Sequence, residues 1–309
     1  MPKVSICIPA YKQLDFLKKN LDSIVIQNYS DYEVVITDDT VDNSVRDLIS
    51  NYSSFFGDKL KYSKNPIRLG TPANWNEAVR RSSGEFIKIL HHDDAFSGKD
   101  SLYKFVCLLE NNPQIDFAFS ATFVNSDEYV HIISSKEMEF LKKNPLHLIV
   151  NNLIGAPSTT IFRNTSGIFF DQNLKWLVDT EFYLRFLKRN NFSFIYSSDI
   201  LITTCSGVSH QVTDECIDDK VVLVYEHLYV LQTFYSQKEI YGNQALKKII
   251  VRTIEILDKY KIGAVRDIRN CGYYGRIPDS IKTWLSINKF SSKLGRLYLR
   301  TLRDNLVKT

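Results

Sequence analysis

Residues 72–94 read PANWNEAVRRSSGEFIKILHHDD and contain a helix-like segment, a strand-like segment and a polar cluster. Residues 72–84 favour a helix closed by Gly84, and the apolar run 85–90 favours a buried β-strand. That strand ends abruptly in four polar residues: His91, His92, Asp93 and Asp94. Adjacent carboxylates repel each other, so the pair predicts a divalent-metal site. The simpler alternative is a polar loop in which Asp94 caps the next helix.

The same alternation of helices and strands extends in both directions from this stretch. Its apolar patterns predict strands at 4–11, 32–39, 60–66, 85–90 and 115–125, with helices at 14–28, 43–55, 72–84 and 100–111. Alternating elements of this kind indicate βαβ units. We therefore predict an α/β fold with a mostly parallel sheet flanked by helices.

Three of the predicted strands end in polar clusters. These are PAYKQ at 9–13, TDDTVDNS at 37–44 and HHDD at 91–94. The carboxyl ends of parallel strands lie at one edge of a sheet, where such proteins bind their ligands. Neither a GxGxxG fingerprint nor a GxxxxGK[ST] loop occurs in the chain, so the sequence does not support a dinucleotide or P-loop site.

The pattern changes after residue 125. A predicted helix at 136–152 leads to IGAPSTTIFRN (154–164), a helical segment at 176–190 and strands at 192–204, and the chain reads as helical from about 218 onward. We predict a catalytic domain at 1–213, with a nucleotide-binding half at 1–125 and an acceptor half at 126–213. Residues 214–309 form a predicted helical C-terminal region.

Composition narrows the class of protein. The 309 residues are 44% hydrophobic and 13% aromatic, which is typical of a globular protein and argues against disorder. Five scattered cysteines without a C-x-x-C pair predict reduced thiols and no zinc site. No signal peptide or membrane span is evident, so we expect a cytoplasmic protein, soluble or peripheral on the inner face of the cytoplasmic membrane.

Net charge is +4, but residues 280–309 carry seven basic residues against one acidic residue. The rest of the chain is therefore slightly acidic, which does not suggest a nucleic-acid binder. Five of these cations, Lys289, Lys293, Arg296, Arg300 and Arg303, repeat at 4-3-4-3 spacing and predict one helical stripe. A basic amphipathic helix over 289–303 suits docking on an anionic membrane surface. The alternative is a packed helix with a solvated basic face, and both stay open.

Four segments in order resemble the family 2 glycosyltransferases with the GT-A fold, over about residues 1–210. They are VSICIPAYKQ (4–13), EVVITDDTVDNS (33–44), GTPANWNEAVRRSSGEFIKILHHDD (70–94) and VDTEFYLRF (178–186). The first two are similar to the family's opening strands. The third resembles the run that ends in the acidic metal motif, and the fourth resembles the element that carries the catalytic base.

The resemblance implies a nucleotide pocket lined by Pro9, Ala10 and Tyr11, with Tyr11 near the base. It places Asp39 on the uracil N3–H. A carboxylate accepts from that donor, which cytosine lacks, so the chemistry agrees with a UDP-sugar. The alternative for Asp39 is a turn or cap after the strand. Arg68 has the charge to meet a diphosphate, or is a solvated loop cation.

The remaining implied contacts concern the sugar, the diphosphate and the metal. Asp93 and Asp94 match the acidic motif, and carboxylate with diphosphate oxygens suits Mn²⁺ or Mg²⁺. Many family members have an Asp at the first position of that motif, and this chain has His91 there instead. His92 is a phosphate contact or a ligand, and His210 meets the diphosphate or metal. Two further positions follow from the resemblance: Trp75 shapes the donor pocket or is a core residue, and Ser158 can approach the sugar.

Asp179 matches the base of the family's catalytic element, because it lies six residues before Arg185. The Glu that precedes the base in the family is Val178 here. The implied mechanism is inverting: Asp179 takes a proton from an acceptor hydroxyl, which displaces the diphosphate from the anomeric carbon. Asp179 as a helix cap is the alternative, and Glu181 is the substitute base.

The leading hypothesis is a metal-dependent transferase that moves a sugar from a UDP-sugar to a hydroxyl of a glycan or lipid-linked oligosaccharide. Bacterial surface polysaccharide synthesis (O-antigen, capsule or lipooligosaccharide) is the expected setting. Two alternatives remain. One is an inactive module that binds nucleotide sugar or carbohydrate, suggested by His91 and Val178. The other is a sugar nucleotidyltransferase, although IPAYKQLDF (8–16) lacks the glycine expected of its signature loop.

Overall fold

The structure is a computed structural model that describes residues 1–125, 128–165, 167–189, 191–205, 215–237 and 243–307. The chain divides into two compact units. The first contains the described residues of Met1–Met138, Leu153–Asn173 and Phe182–Val208. The second contains those of Glu139–Asn152, Leu174–Glu181 and Ser209–Thr309. Two segments that precede residue 213 thus belong to the same unit as the C-terminal helices.

The first unit is built on a nine-stranded sheet with the path β3-β2-β1-β4-β8-β6-β9-β5, and β7 pairs with β6. The strands are β1 Val4–Ala10, β2 Tyr32–Asp38, β3 Leu60–Lys64, β4 Phe86–Ile89, β5 Ala95–Phe96, β6 Phe117–Val124, β7 Tyr129–His131, β8 Thr160–Arg163 and β9 Ile195–Thr204.

The predicted parallel half of this sheet is confirmed. Strand β1 pairs in parallel with β2 and with β4, and β2 pairs in parallel with β3. Beyond β4 the sheet is mixed, because β8 inserts antiparallel between β4 and β6.

The helices of this unit are α1 Leu14–Val25, α2 Ser44–Ser50, α3 Ser53–Phe56, α4 Ala73–Arg80 and α5 Ser101–Glu110. Helix α6, Ser135–Lys143, begins in the first unit and continues into the second from Glu139. Helix α7, Val178–Arg189, also crosses between the units, at Glu181. All seven residues of β1 are buried, as expected of a parallel strand covered on both faces. The apolar residues of α1 recur at helical spacing and are buried in the same cluster as Ile6 and Ile8: Leu17, Leu21 and Ile24.

Gly84 does not end a helix as the sequence suggested, because α4 ends at Arg80. The glycine is needed for space instead. A Cβ at this position would lie 2.6 Å from the backbone nitrogen of Ser5 and 2.8 Å from its hydroxyl. The close approach brings the start of β4 against β1 and fixes the register of these two strands.

The second unit contains the helices α8 Lys220–Tyr235, α9 Asn243–Lys259, α10 Val265–Asn270, α11 Asp279–Phe290 and α12 Ser292–Val307. The predicted single stripe over 289–303 is wrong. Ser291 is extended and separates α11 from α12, so Lys289 lies on a different helix from the other four cations. Among the helices of the described residues, none is both long and apolar enough to cross a membrane.

Candidate active site at the carboxyl edge of the sheet

The parallel strands β1, β2 and β4 bring their carboxyl ends to one edge of the sheet. In the register of these strands, Ala10 lies beside Asp38, and Cys7 lies beside Ile89. Tyr11 and Asp39 directly follow β1 and β2, and the loop His91–Asp94 follows β4 after Leu90. Since β8 runs antiparallel to β4, the residues just before β8 reach the same edge. The predicted convergence of the polar strand ends is thus present.

Asp39 organises the loop that carries Arg68. Its side chain is almost fully buried, and its Oδ1 accepts hydrogen bonds from Asn65 Nδ2 at 2.7 Å and from the Leu69 N–H at 3.1 Å. The Oδ2 accepts from the Gly70 N–H at 2.8 Å. Two carboxylate oxygens offer about four acceptor positions, so one position remains for a further donor. Both the turn role and a donor contact are therefore compatible with this carboxylate.

Arg68 and Tyr11 form a cation–π pair at this edge. The guanidinium carbon lies 4.2 Å from the centroid of the Tyr11 ring, and Arg68 is exposed. The turn that follows Tyr11 has two successive residues with positive φ, Lys12 at 54° and Gln13 at 47°. Such left-handed conformations are costly for side chains other than glycine and concentrate at functional sites. The Lys12 N–H donates to the Thr40 hydroxyl at 2.8 Å, which joins this turn to the end of β2.

Pro9 and Ala10 lie at the buried end of β1, and they contribute backbone to the edge. The Ala10 carbonyl accepts from the Asp39 N–H at 3.0 Å. Trp75 of α4 is partly buried between two rings, because its centroid lies 4.5 Å from that of His91 and 5.1 Å from that of Phe170. The ring therefore supports the acidic loop, which is compatible with its core interpretation.

The acidic loop contains a cluster of three possible metal ligands. Ligand atoms of His91, Asp93 and Asp94 all lie within 4.8 Å of one another. The loop is held by Asn20 of α1, whose Nδ2 donates to the carbonyls of His91 and Asp94, both at 2.8 Å. His91 therefore lies in the cluster, although the sequence identified it only as a departure from the motif. His92 is partly buried beside it.

Burial and the neighbouring Asp93 raise the pKa of Asp94 well above its usual range, so the pair does not tolerate two negative charges. Burial also lowers the pKa of His91 to about 4, which keeps its imidazole neutral, and no described residue makes a hydrogen bond to its Nε2. A neutral imidazole with a free nitrogen beside two carboxylates is a suitable ligand set for a divalent cation.

Ser158, which lies just before β8, holds the acidic loop through hydrogen bonds. Its hydroxyl accepts from the His91 N–H at 2.9 Å and donates to the Asp94 carboxylate, and its side chain is fully buried. The Ser158 carbonyl accepts from the ammonium of Lys88, a fully buried residue of β4. The predicted sugar contact of Ser158 therefore has a competing explanation, because this hydroxyl already makes hydrogen bonds to His91 and Asp94 within the protein.

Asp179 lies in the second unit, in the first turn of α7. No described residue makes a hydrogen bond to its Oδ1, and burial raises its pKa to about 7. A helix-capping carboxylate would accept from backbone N–H groups of the first turn. A buried carboxyl without such a partner, with a pKa near neutrality, instead has the properties of a general base.

The backbone before Asp179 is held by a residue that the sequence did not identify. Glu226 of α8 is buried and accepts hydrogen bonds from three consecutive N–H groups: Lys175 at 2.7 Å, Trp176 at 3.0 Å and Leu177 at 2.8 Å. A charged residue inside an apolar helix pattern was the available signal. His210 lies outside the described residues.

The family model for glycosyl transferase family 2 matches residues 5–215. The chain belongs to glycosyl transferase family 2. A putative teichuronic acid biosynthesis glycosyltransferase, TuaG of Bacillus subtilis, is 24% identical over 61% of this chain and 73% of its own length. A Campylobacter jejuni GalNAc(5)-diNAcBac-PP-undecaprenol β-1,3-glucosyltransferase is 30% identical over 30% of each chain. An uncharacterized Mycobacterium tuberculosis protein is 26% identical, and the match spans 65% of its length.

Solved structures of other proteins share the fold of this family 2 chain. TarS of S. aureus in complex with UDP-GlcNAc aligns with a TM-score of 0.65 over 99% of this chain and 92% of its own, at 15% identity. The mannosyltransferase PcManGT of Pyrobaculum calidifontis, in complex with GDP-Man and Mn²⁺, aligns with a TM-score of 0.56 over 99% and 87%, at 14% identity. The predicted family and the predicted GT-A-type fold are confirmed.

Proposed function

We propose that the protein is an inverting, metal-dependent glycosyltransferase that moves a sugar from a UDP-sugar to a hydroxyl of a glycan acceptor. The observation that carries the proposal is the cluster of His91, Asp93 and Asp94 at the carboxyl edge of the parallel strands. The setting is bacterial surface polysaccharide synthesis on a lipid-linked acceptor. The names of the TuaG and Campylobacter relatives support that setting.

The residues of the acidic loop fit a divalent cation. Two adjacent carboxylates whose joint ionisation is unfavourable, together with a neutral imidazole, would be stabilised by a charge of +2. His91, Asp93 and Asp94 would hold Mn²⁺ or Mg²⁺, and the imidazole favours Mn²⁺. When bound, the cation neutralises the negative charge that develops on the departing nucleoside diphosphate.

The residues that follow β1, β2 and β3 would bind the nucleotide. The remaining acceptor position of Asp39 suits the N3–H of uracil, and the Tyr11 ring offers a flat surface to the base. Arg68 is exposed next to that ring, so its guanidinium is available to a diphosphate. Because Asp39 also holds the loop Asn65–Gly70, the same carboxylate would orient Arg68 and recognise the base.

Asp179 would take the proton of the acceptor hydroxyl. The carboxylate has a pKa near 7, so it ionises near neutral pH and still has enough basicity to accept a proton. The hydroxyl oxygen then attacks the anomeric carbon, the bond to the diphosphate breaks, and the configuration inverts in this single displacement. Glu181 is retained as the substitute base.

A direct test measures sugar release from UDP-sugars, with and without Mn²⁺, for the natural chain and for Asp94→Asn and Asp179→Asn. We expect release that requires the cation, and its loss in both variants. Binding of UDP is measured in parallel by calorimetry, and Asp179→Asn should leave it intact. Tight UDP binding without turnover of any donor would identify an inactive binding module. A melting temperature that GDP-sugars raise and UDP-sugars do not would refute the role of Asp39 in binding uracil.

A further inference from the structure

A sharp corner joins the last two helices of the second unit. Helix α11 ends at Phe290, Ser291 is extended, and α12 begins at Ser292. The Ser291 carbonyl accepts from the Gly295 N–H at 2.9 Å, which closes the first turn of α12. A Cβ at Gly295 would lie 2.4 Å from the Asn288 Oδ1, so the glycine permits the two helices to approach closely at the corner.

Three large apolar side chains are exposed at this corner. Phe290 is 88% exposed, Leu294 53% and Leu297 57%. Leu294 and Leu297 are three residues apart and share one face of α12. By contrast, Leu299 and Trp284 on the same two helices are buried. Isolated exposed apolar residues are ordinary, but a group within eight residues of chain indicates an interaction surface.

Cations without acidic partners flank these apolar side chains. Residues 280–303 contain no aspartate or glutamate. Within the described part of the chain, no ion pair involves Lys289, Lys293, Arg296 or Arg300. The cations at the two ends of this stretch differ, since Lys282 pairs with Asp279 and Arg303 pairs with Glu255. The unpaired positive charge is thus concentrated next to the exposed apolar group.

We propose that this corner, Lys289–Leu297, docks the protein on an anionic lipid bilayer. The apolar side chains Phe290, Leu294 and Leu297 enter the boundary between headgroups and acyl chains. The ammonium and guanidinium groups beside them meet lipid phosphates. Nucleic acid would use the cations but would leave two exposed leucines without a partner. A second copy of this surface would bring unpaired cations together, which electrostatic repulsion opposes.

The test is co-sedimentation of the full chain with vesicles of phosphatidylcholine alone and of phosphatidylcholine mixed with phosphatidylglycerol. We expect binding only to the mixed vesicles, weakened by salt. The variant Lys289→Glu/Lys293→Glu/Arg296→Glu should lower the partition coefficient at least about a hundredfold, because each surface cation contributes about fivefold. Phe290→Ser/Leu294→Ser should also reduce binding, with less change in its salt dependence.

The matched control carries three reversals elsewhere, at exposed lysines of the first unit: Lys61→Glu, Lys99→Glu and Lys136→Glu. It should bind mixed vesicles about as well as the natural chain. Sugar release from a soluble UDP-sugar should be unchanged in the corner variants, so this test is separate from the proposed function. Equal binding by the corner and control variants would overturn the proposal. A dimer that dissociates in Phe290→Ser/Leu294→Ser, without vesicle binding, would instead identify a self-association surface.

Discussion

The carboxylate of Glu226 accepts a 2.8 Å hydrogen bond from the backbone N–H of Leu177, two residues before Asp179. The same carboxylate also receives the N–H groups of Lys175 and Trp176. A residue of the C-terminal helices therefore fixes the backbone that leads to the proposed base. This relationship gives the helical region a structural role next to the proposed base.

Replacing Glu226 with alanine should leave three backbone N–H groups without their acceptor, and that of Leu177 belongs to a buried residue. We expect a loss of about 3 kcal/mol in the free energy of unfolding, measured by urea denaturation. Glu226→Gln keeps an acceptor oxygen and should lose less stability, with a fall in kcat larger than any change in KM for the donor. The exposed neighbour Glu215 provides the control, and Glu215→Gln should resemble the natural chain.

Asp179→Asn should separate activity from stability. Burial raises the pKa of Asp179 to about 7, so the folded protein holds this proton at pH values where the unfolded chain has released it. The carboxylate therefore destabilises the fold increasingly from about pH 4 to pH 7, and fully above that. At pH 8 the amide should add about 2 kcal/mol to the free energy of unfolding while sugar transfer is abolished.

The natural enzyme should lose kcat/KM as the pH falls through about 7, because protonation of Asp179 removes the base. The profile is measured with saturating Mn²⁺ and a soluble acceptor. An acid limb unchanged in Asp179→Glu, or one near pH 4, would assign the base to another residue.

His91→Asp should change the metal preference rather than abolish activity. The substitution replaces the proposed nitrogen ligand with an oxygen ligand, which suits Mg²⁺ better than imidazole does. We expect the ratio of the rates in Mg²⁺ and Mn²⁺ to rise about tenfold. If the ratio is unchanged in a variant with the same melting temperature as the natural protein, His91 is not a metal ligand.

Asp39→Asn should weaken UDP binding more than CDP binding. The amide presents one acceptor oxygen instead of two, so the position proposed for the uracil N3–H, a donor that cytosine lacks, is lost together with part of the bonds to Asn65, Leu69 and Gly70. We expect about a tenfold loss of UDP affinity by calorimetry, in line with one charge-assisted hydrogen bond. Asp58→Asn changes an exposed carboxylate outside the site and provides the comparison. Parallel losses for UDP and CDP would indicate a loop effect alone.

Gly84→Ala should destabilise the fold without a specific effect on the site. The new Cβ would meet the Ser5 backbone at 2.6 Å, so strands β1 and β4 must separate locally. We expect a loss of about 2 kcal/mol. Gly98→Ala is the matched control, because its Cβ would come no closer than 3.9 Å to Ser101. Similar melting temperatures for the two variants would contradict the steric explanation.

The parallel strands and their polar ends were predicted well from the sequence, because the pattern of apolar residues that marks a strand is a local property of the chain. Apolar runs identify strands such as Val4–Ala10. Parallel pairing then brings Asp39 and Asp94 to one edge, which can be predicted without knowing the tertiary contacts. The antiparallel position of β8 was not predictable in this way, since it depends on which edge the strand reaches after a long connection.

Supporting residues were harder to recognise. Asn20 lies at a core-facing position of α1, and Lys88 lies inside an apolar strand. Each interrupts an apolar pattern, which is a signal, but the partner at the other end of the hydrogen bond is more than 65 residues away. The break at Ser291 was also missed, because serine only weakly opposes a helix and the cation spacing continues across it.

The position of β8 has a consequence for the order in which the chain folds during synthesis. Strand β4 is complete at Ile89, but its second neighbour, β8, begins only at Thr160. Until that segment leaves the ribosome, one edge of β4 offers unpaired backbone groups to other chains. The nascent protein therefore carries the loop His91–Asp94 at the end of a strand with an open edge, and during this interval it needs protection from aggregation.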